Sequence, residues 1–282
     1  MLPHHLPLSR RLLLASLLLL PACDSGTAEG HDRQHLTVTG SSTVAPLAAE
    51  IARRFEEQNP GVVIDVQSGG SSKGISDARR GLADVGMASR ALKSSELGEV
   101  MSHTIAVDGV GLIVHSSNSV AELSDDQVRA IYRGEISNWN EVGGVDAEIT
   151  VVTKASGRAT LEVFLAHFGM TEEEIHADVV IGDNQQGIKT VQGNPHALGY
   201  VSIGAAEYEV GRGTPLRLLP AGGVTADSAN VASGQFPISR PLNFITRGEV
   251  GDLAQRFLDF ARSSEVHDLV TDLFFVPAAA GE

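Results

Sequence analysis

The sequence predicts an α/β protein with a largely parallel sheet covered by helices on both faces. Segments typical of strands and helices alternate along most of the chain, as in parallel sheets. Three strand-to-helix junctions, TGSSTVAP, SGGSSKG and TKASGRAT, share a composition rich in glycine, serine and threonine. About 245 residues follow a targeting segment and a polar tether, enough for one large domain or two small lobes.

The elements can be justified in chain order. HLTVTG predicts a strand, and VAPLAAEIARRFEEQ predicts a helix because Leu47, Ile51 and Phe55 recur every four residues before an Asn-Pro-Gly stop. VVIDVQ and ADVGMAS predict strands on either side of a short helix, GISDARRGL. TIAVDGVGLIVHSS is a longer apolar run, suited to cross between lobes. SDDQVRAIYRG predicts a helix capped by Ser124, and EITVVTKASGRATLEVFLAHFG predicts a strand, a glycine turn and a helix.

The N-terminus has the sections of a secretory signal. Two arginines precede a leucine-rich run and a small-residue site, and the run is too short to span a bilayer. Cys23, the only cysteine, stands in LPAC, which resembles the bacterial lipoprotein cleavage box. We predict a signal peptide over residues 1–22, lipidation of Cys23, and a polar tether over residues 23–35. Secretion with cleavage nearby and an idle thiol is the alternative.

Charge restricts the class of partner. The formal charge is −14, and loss of the signal peptide removes two arginines and no acids. Such an acidic surface argues against nucleic acid and anionic membrane as partners. A site for an anion must therefore supply its own local positive potential.

The three glycine-rich junctions have the chemistry of an anion site. Glycine lets the backbone approach a ligand, and helix N-termini offer free amides and a favourable dipole. Serine and threonine add neutral donors, and Lys73, Lys154 and Arg158 add cations. Any single turn is explained by helix capping, but three together indicate a small oxyanion held by convergent loops. The spacing of a P-loop is absent.

Catalytic patterns are not found at these junctions. They contain neither a GxSxG elbow nor an SxxK motif, and the histidines are scattered without HExxH spacing. We therefore predict a protein that is not an enzyme, with no cofactor and no metal.

The stretch from GSSTVAPLAAEIARRFEEQNPG to DVGMASRALKSSEL resembles the phosphate-binding subunit of the bacterial phosphate ABC importer. The resemblance continues through LSDDQVRAIYRGEISNWNEVGG, VVTKASGRATLEVF and NPHALGYVSIGAAEY, nearly the whole chain after residue 36. It implies a two-lobed periplasmic-binding-protein fold of type II, with a mostly parallel sheet in each lobe and the ligand in the cleft between lobes. Residues 36–112 and 240–282 would form lobe I, and residues 113–239 lobe II.

The resemblance also implies the ligand-binding residues. The family's fourth loop usually reads Arg, two variable residues, then Gly-Ser-Gly-Thr; here Lys154 stands at the arginine and Arg158 at the serine, so which cation contacts the anion is left open. One glutamine of DNQQG offers a fifth contact. The expected phosphate ligands are Ser42, Thr43, Ser71, Ser89, Arg90, Lys154, Arg158, Ala159, Thr160 and Gln186.

Ser89 stands where many members of the family have an aspartate. A carboxylate only accepts hydrogen bonds, whereas a serine hydroxyl donates or accepts, and phosphate carries a proton that sulfate lacks. We therefore expect phosphate to remain preferred over sulfate, by a smaller margin than an aspartate would give.

Together these patterns predict a monomeric, extracytoplasmic solute-binding protein. It would lie in the periplasm or at the outer face of the cytoplasmic membrane, held only by its lipid, and deliver inorganic phosphate to an ABC permease. Another tetrahedral oxyanion (sulfate, molybdate or tungstate) and a phosphate sensor acting on a kinase are the alternatives. A hydrolase of phosphate esters would need a nucleophile or metals.

Overall fold

The computed structural model describes residues 34–278; the predicted signal peptide, Cys23 and nearly all of the predicted tether lie outside the described residues. Its strands are β1 (Gln34–Gly40), β2 (Val62–Ser68), β3 (Val85–Ala88), β4 (Met101–His115), β5 (Thr150–Lys154), β6 (Val179–Ile181), β7 (Ala197–Ser202), β8 (Leu216–Leu218), β9 (Ser239–Thr246) and β10 (Val276–Pro277). Its α-helices are α1 (Ala45–Gln58), α2 (Ser71–Arg80), α3 (Asp125–Tyr132), α4 (Ala159–Phe168), α5 (Asn184–Gly193), α6 (Ile203–Gly211), α7 (Ser228–Ala232), α8 (Asp252–Ala261) and α9 (His267–Asp272).

The predicted alternation of strands and helices is confirmed. Ser124 caps α3 as expected, because its Oγ accepts from the amide of Gln127 at 3.2 Å and the Gln127 side chain accepts from the amide of Ser124. Helix α2 begins at Ser71, three residues earlier than the sequence pattern indicates. The reason is Gly70, whose φ of 101° turns the chain directly into the helix.

The sheet has two parallel ends joined by antiparallel strands. Its order is β2-β1-β3-β9-β4-β7-β5-β6, and β8 and β10 also pair with β4. Strands β2, β1 and β3 are parallel to one another, as are β7, β5 and β6. Strand β4 pairs with β9 through residues 101–109 and with β7 through residues 110–114, so it runs from one end of the sheet to the other. The run predicted to cross between lobes, TIAVDGVGLIVHSS, therefore lies in β4. A second crossing, expected near FPISRPLNF, falls at the start of β9.

The hydrophobic core is divided in the same way. One large cluster draws on residues 36–106 and 242–275, around Phe55, Phe244 and Phe257. Two further clusters draw on residues 110–238, around Phe164 and Tyr200. We call the two groups of elements lobe I and lobe II; the boundaries at residues 112 and 240 stay a prediction. No helix between residues 34 and 278 is long and apolar enough to cross a bilayer.

Candidate functional site

A small cavity lies where loops from both lobes meet. The loops follow β1, β2 and β3 in lobe I and β5 and β6 in lobe II, which are the carboxyl ends of parallel strands, the usual position of ligand sites in open α/β sheets. Eight of the ten predicted ligand residues line the cavity, and Arg90 and Gln186 do not. The lining residues are Ser41, Ser42, Thr43, Gly70, Ser71, Ser89, Lys154, Arg158, Ala159, Thr160 and Gly182.

Two helices begin at the cavity wall. Ser71 is the first residue of α2, and Ala159 and Thr160 are the first two of α4. The first amides of a helix have no intrahelical partner, and the helix dipole makes that end positive. At Gly70, an added Cβ would lie 3.0 Å from the carbonyl oxygen of Gly157 and 3.1 Å from Cδ of Arg158. Glycine is thus required for the two lobes to approach at this point.

The lobe I hydroxyls are held by one another. Ser41 Oγ accepts from the amides of Thr43 at 3.2 Å and Val44 at 3.3 Å, and donates to Ser89 Oγ at 3.0 Å. Ser71 Oγ accepts from the amide of Ser89 at 3.1 Å. The loops after β1, β2 and β3 are therefore fixed relative to one another before any ligand contact.

Arg240, which the sequence reasoning did not select, lies directly behind this wall. It is 2 % exposed on β9 and faces Asp108 of β4, also 2 % exposed, as a cross-strand pair. Its Nη2 and Nε lie 2.8 and 3.1 Å from Asp108 Oδ2, while Oδ1 accepts from the amide of Gly204 at 3.2 Å. The buried carboxylate is therefore occupied on both oxygens. The sequence does contain a signal for this pair: Asp108 is the only acid in TIAVDGVGLIVHSS, and Arg240 is the only base in FPISRPLNF.

Arg240 also sets the direction of the lining hydroxyls. It donates to Thr160 Oγ1 at 2.8 Å and lies 3.4 Å from the hydroxyls of Thr43 and Ser89. Thr43 Oγ1 accepts a second hydrogen bond, from Asn184 Nδ2 at 3.1 Å. A hydroxyl that accepts two hydrogen bonds has only its own hydrogen left to give. Arg240 and Asn184 together thus leave the Thr43 hydroxyl as a donor.

This geometry argues against the role expected for Ser89. Its Oγ accepts from Ser41 and from Arg240, so the hydroxyl is not free to turn and accept the proton of phosphate. The hydrogen of Ser89 is then left to donate, either to Ser71 Oγ at 3.5 Å or toward the cavity.

Lys154 ends β5 and is 3 % exposed. Its Nζ donates to Asn184 Oδ1 at 3.0 Å. Burial, reinforced by nearby Arg240 and Arg158 and opposed by Asp183, lowers the pKa of Lys154 to about 7. The strand end is positioned by Tyr200, whose hydroxyl accepts from the Lys154 amide at 3.2 Å.

Arg158 occupies the N-cap position of α4, and its side chain lies between Gly70 and Gly182. Its Cδ would be 3.1 Å from a Cβ on Gly70, and its Nη2 3.4 Å from one on Gly182. Within the part of the chain that the structure describes, no carboxylate forms an ion pair with Arg158. By contrast, Lys73, the other cation of the glycine-rich turns, pairs with Asp77 and does not line the cavity.

Arg90 points away from the cavity, so its expected contact with the ligand is not supported. Its Nη1 and Nη2 donate to Glu96 at 2.8 and 2.9 Å, and its Nε lies 3.0 Å from Glu162 Oε2. The guanidinium of Arg90 is therefore paired with two carboxylates and does not line the cavity. Gln186 is also outside: its Oε1 accepts from the amide of Gly182 at 2.6 Å, which positions a lining residue indirectly.

The cavity is lined by hydroxyl donors, helix N-termini and two cationic side chains. Between residues 34 and 278, no group of three or more histidine, cysteine, aspartate or glutamate side chains is placed to hold a metal ion. The arrangement is suited to hold a small anion by hydrogen bonds and charge.

Known proteins share this architecture. The PBP superfamily domain matches residues 25–265. The phosphate-binding protein PstS of Bacillus subtilis is 29 % identical over 94 % of this chain and 92 % of its own length. A protein of Clostridium perfringens, assigned as a phosphate ABC transporter substrate-binding protein and solved with bound phosphate, is 32 % identical, with a TM-score of 0.81 over 87 % of this chain and all of its own. An ABC-type phosphate transport receptor of Vibrio cholerae is 29 % identical, with a TM-score of 0.72 over 86 % of this chain and all of its own.

Two lobes joined by crossing strands, with cations and helix N-termini from both around one cavity, define a binding protein of the type II periplasmic fold. The chain belongs to the PBP superfamily, and within it to the family of phosphate ABC transporter substrate-binding proteins.

Proposed function

We propose that this protein captures inorganic phosphate outside the cytoplasm and delivers it to an ABC permease. The observation that carries the proposal is the convergence of Lys154, Arg158 and oriented hydroxyls of both lobes on one small cavity. The relatives named for phosphate binding support the identity of the anion. No bond is made or broken in this function.

Capture depends on closure of the two lobes. Asn184 Nδ2 of lobe II donates to Thr43 Oγ1 of lobe I at 3.1 Å, and the Ser72 amide donates to the Gly157 carbonyl at 3.3 Å. An anion that binds hydroxyls of lobe I and cations of lobe II adds contacts available only when the lobes meet. It therefore shifts the population toward the closed form, the form that a permease would recognise.

The setting of the protein is part of the proposal. Cys23 would carry the lipid, residues 23–35 would tether the folded part, and the protein would act as a monomer. Sulfate is the principal competitor, because the lining hydroxyls donate to any tetrahedral oxyanion.

Calorimetry of ligand-stripped protein against phosphate, sulfate, molybdate and tungstate tests the proposal. We expect phosphate to bind most tightly. Arg158→Ala should raise the Kd for phosphate about tenfold to a hundredfold, because a charge-assisted hydrogen bond contributes roughly 1.5–3 kcal/mol, and Thr160→Val should raise it less.

Arg79→Ala, on the exposed face of α2, is the matched control and should leave the Kd unchanged. Tighter binding of another anion than of phosphate would contradict the proposal. Normal binding by Arg158→Ala combined with failure of Lys154→Ala would instead show that Lys154 carries the ligand charge.

A further inference from the structure

The charges that surround Lys154 are unbalanced. Arg240 of β9 and Arg158, which precedes α4, both lower its pKa, and Asp183 at the start of α5 opposes them. Asp108 of β4 lies behind Arg240 and already forms an ion pair with that guanidinium. A charged Lys154 would therefore add a further cation to this buried site. Asp108 is already paired with Arg240, and Asp183 alone does not balance the remaining positive charge.

The remaining neighbours of Lys154 do not supply a counter-charge. Tyr200 of β7 contacts the Lys154 amide, and burial raises the pKa of this phenol to about 12, so it stays neutral. Asn184 offers only a neutral carbonyl oxygen, which also accepts from the amide of Ser202 at 3.4 Å. The negative charge that would balance an ammonium at this position must come with the ligand.

Phosphate near neutral pH brings a proton that the site must place. Thr43 and Ser89 present donors, and both oxygens of Asp108 are occupied. Hydroxyl oxygens can accept a hydrogen bond but do not take up a proton at this pH. The amine of Lys154 can do both, because its neutral form has a free lone pair and its charged form has hydrogens to donate.

We propose that Lys154 sets the proton balance of the site, so that the bound complex holds one proton shared between Lys154 Nζ and the anion. This inference rests on the proposed function. A monoanionic phosphate that meets the neutral amine transfers one proton along the N···O hydrogen bond and becomes the dianion beside an ammonium. No P–O bond changes. A fully deprotonated anion, such as sulfate, instead takes one proton from solvent when it meets the neutral amine.

The two anions should therefore have different pH profiles. Phosphate affinity should pass through a maximum near neutral pH and fall about tenfold per pH unit on either side. On the acid side binding releases one proton, and on the alkaline side binding takes up one proton. Sulfate affinity should be flat on the acid side and fall about tenfold per pH unit on the alkaline side. Selectivity for phosphate would thus decrease on acidification.

Calorimetric titrations of phosphate and sulfate from about pH 6 to about pH 9 provide the test. In Lys154→Arg the group stays charged throughout, so the alkaline decrease should disappear for both anions, while the acid limb of phosphate remains. Lys189→Arg, on the exposed side of α5, is the matched control and should keep both limbs.

A second measurement does not depend on the variant. In buffers of different ionisation enthalpy at about pH 8.5, the wild-type protein should take up about one proton per bound anion. If no proton is taken up, or if the alkaline decrease persists in a folded Lys154→Arg, the role given to Lys154 is wrong, but the proposed phosphate-binding function still stands. Failure to bind phosphate at every pH overturns the proposed function with it.

Discussion

At the scale of single residues, we expect Arg240 to act on the ligand through the hydroxyls in front of it. Its donors reach Thr160 and lie beside Thr43 and Ser89, while Asp108 fixes the guanidinium from behind. A lone positive charge at this depth would be costly, and the opposed carboxylate on β4 offsets that cost. The pair therefore aligns donors without adding net charge to the cavity.

Loss of Arg240 should weaken binding independently of folding. Arg240→Met alone would leave Asp108 buried and unpaired, at a cost of about 3–5 kcal/mol in stability, whereas adding Asp108→Asn removes the unpaired charge and keeps an oxygen to accept from the Gly204 amide. We expect the double variant to unfold near the wild-type temperature and to bind phosphate about tenfold to a hundredfold more weakly. Thermal unfolding and calorimetry measure the two quantities. Wild-type affinity in the folded double variant would contradict the role given to Arg240.

At the scale of elements, Glu162 of α4 links lobe II to the loop after β3. Its carboxylate lies 3.0 Å from Arg90 Nε and 2.6 Å from Lys93 Nζ, and it accepts from Ser72 Oγ at 3.2 Å. All three partners belong to lobe I. Because its members come from both lobes, the cluster requires the lobes to be close together, so we expect Arg90 to stabilise the closed form rather than contact the ligand.

Glu162→Gln should weaken the closed form and leave the ligand contacts intact. Because Lys93 is half exposed, we expect a modest loss, about threefold to tenfold in affinity, mainly as faster dissociation. Stopped-flow release of phosphate measures this rate. Glu173→Gln, on the exposed turn after α4, is the control and should release phosphate at the wild-type rate. An unchanged release rate in Glu162→Gln would show that the cluster does not hold the lobes together.

The packing of α2 on the sheet depends on Gly74. A Cβ there would lie 2.6 Å from the carbonyl oxygens of both Met87 and Thr39. Alanine is the better helix former by about 1 kcal/mol, but the backbone oxygens of β1 and β3 cannot move away from an added Cβ. Gly74→Ala should therefore lower the free energy of unfolding by about 1–3 kcal/mol. Chemical denaturation measures the change. Gly193→Ala, in open space at the end of α5, should not destabilise, and equal effects in both would refute the packing argument.

At the scale of the whole molecule, the proposed lipid anchor would hold the folded lobes apart from the membrane. No helix between residues 34 and 278 can span a bilayer, and the folded part carries the strongly acidic composition of the chain. A lipid on Cys23 with a short polar tether would hold the protein at the membrane without a charged contact to its surface.

Cys23→Ala should abolish acylation and block processing of the signal peptide. Fatty-acid labelling in the native host should fall to background, and the chain should keep residues 1–22. Phosphate affinity of the purified variant should match wild type, since the cavity is built from residues 41–182. Undiminished labelling would refute the lipoprotein assignment.

Much of the cavity could be predicted because its lining follows local rules. A glycine-rich junction after a strand places small residues and free amides at a helix N-terminus, whatever the rest of the fold does. Ser42, Ser71, Lys154, Arg158 and Thr160 were selected on that basis, together with the family resemblance, and all line the cavity. Arg90 directly follows Ser89, but adjacency in sequence does not determine where a long side chain points.

The order of strands and helices and the loops that carry donors can be predicted from the sequence, because periodicity and turn chemistry act within a few residues. Which isolated charged residues lie at the cavity depends instead on how distant elements pack. Asp108 and Arg240 are far apart in sequence and meet through the register of β4 with β9. Arg90 is drawn to Glu96 and Glu162 by the contact between lobes. The low pKa of Lys154 has the same origin, since burial and charges from other elements set it.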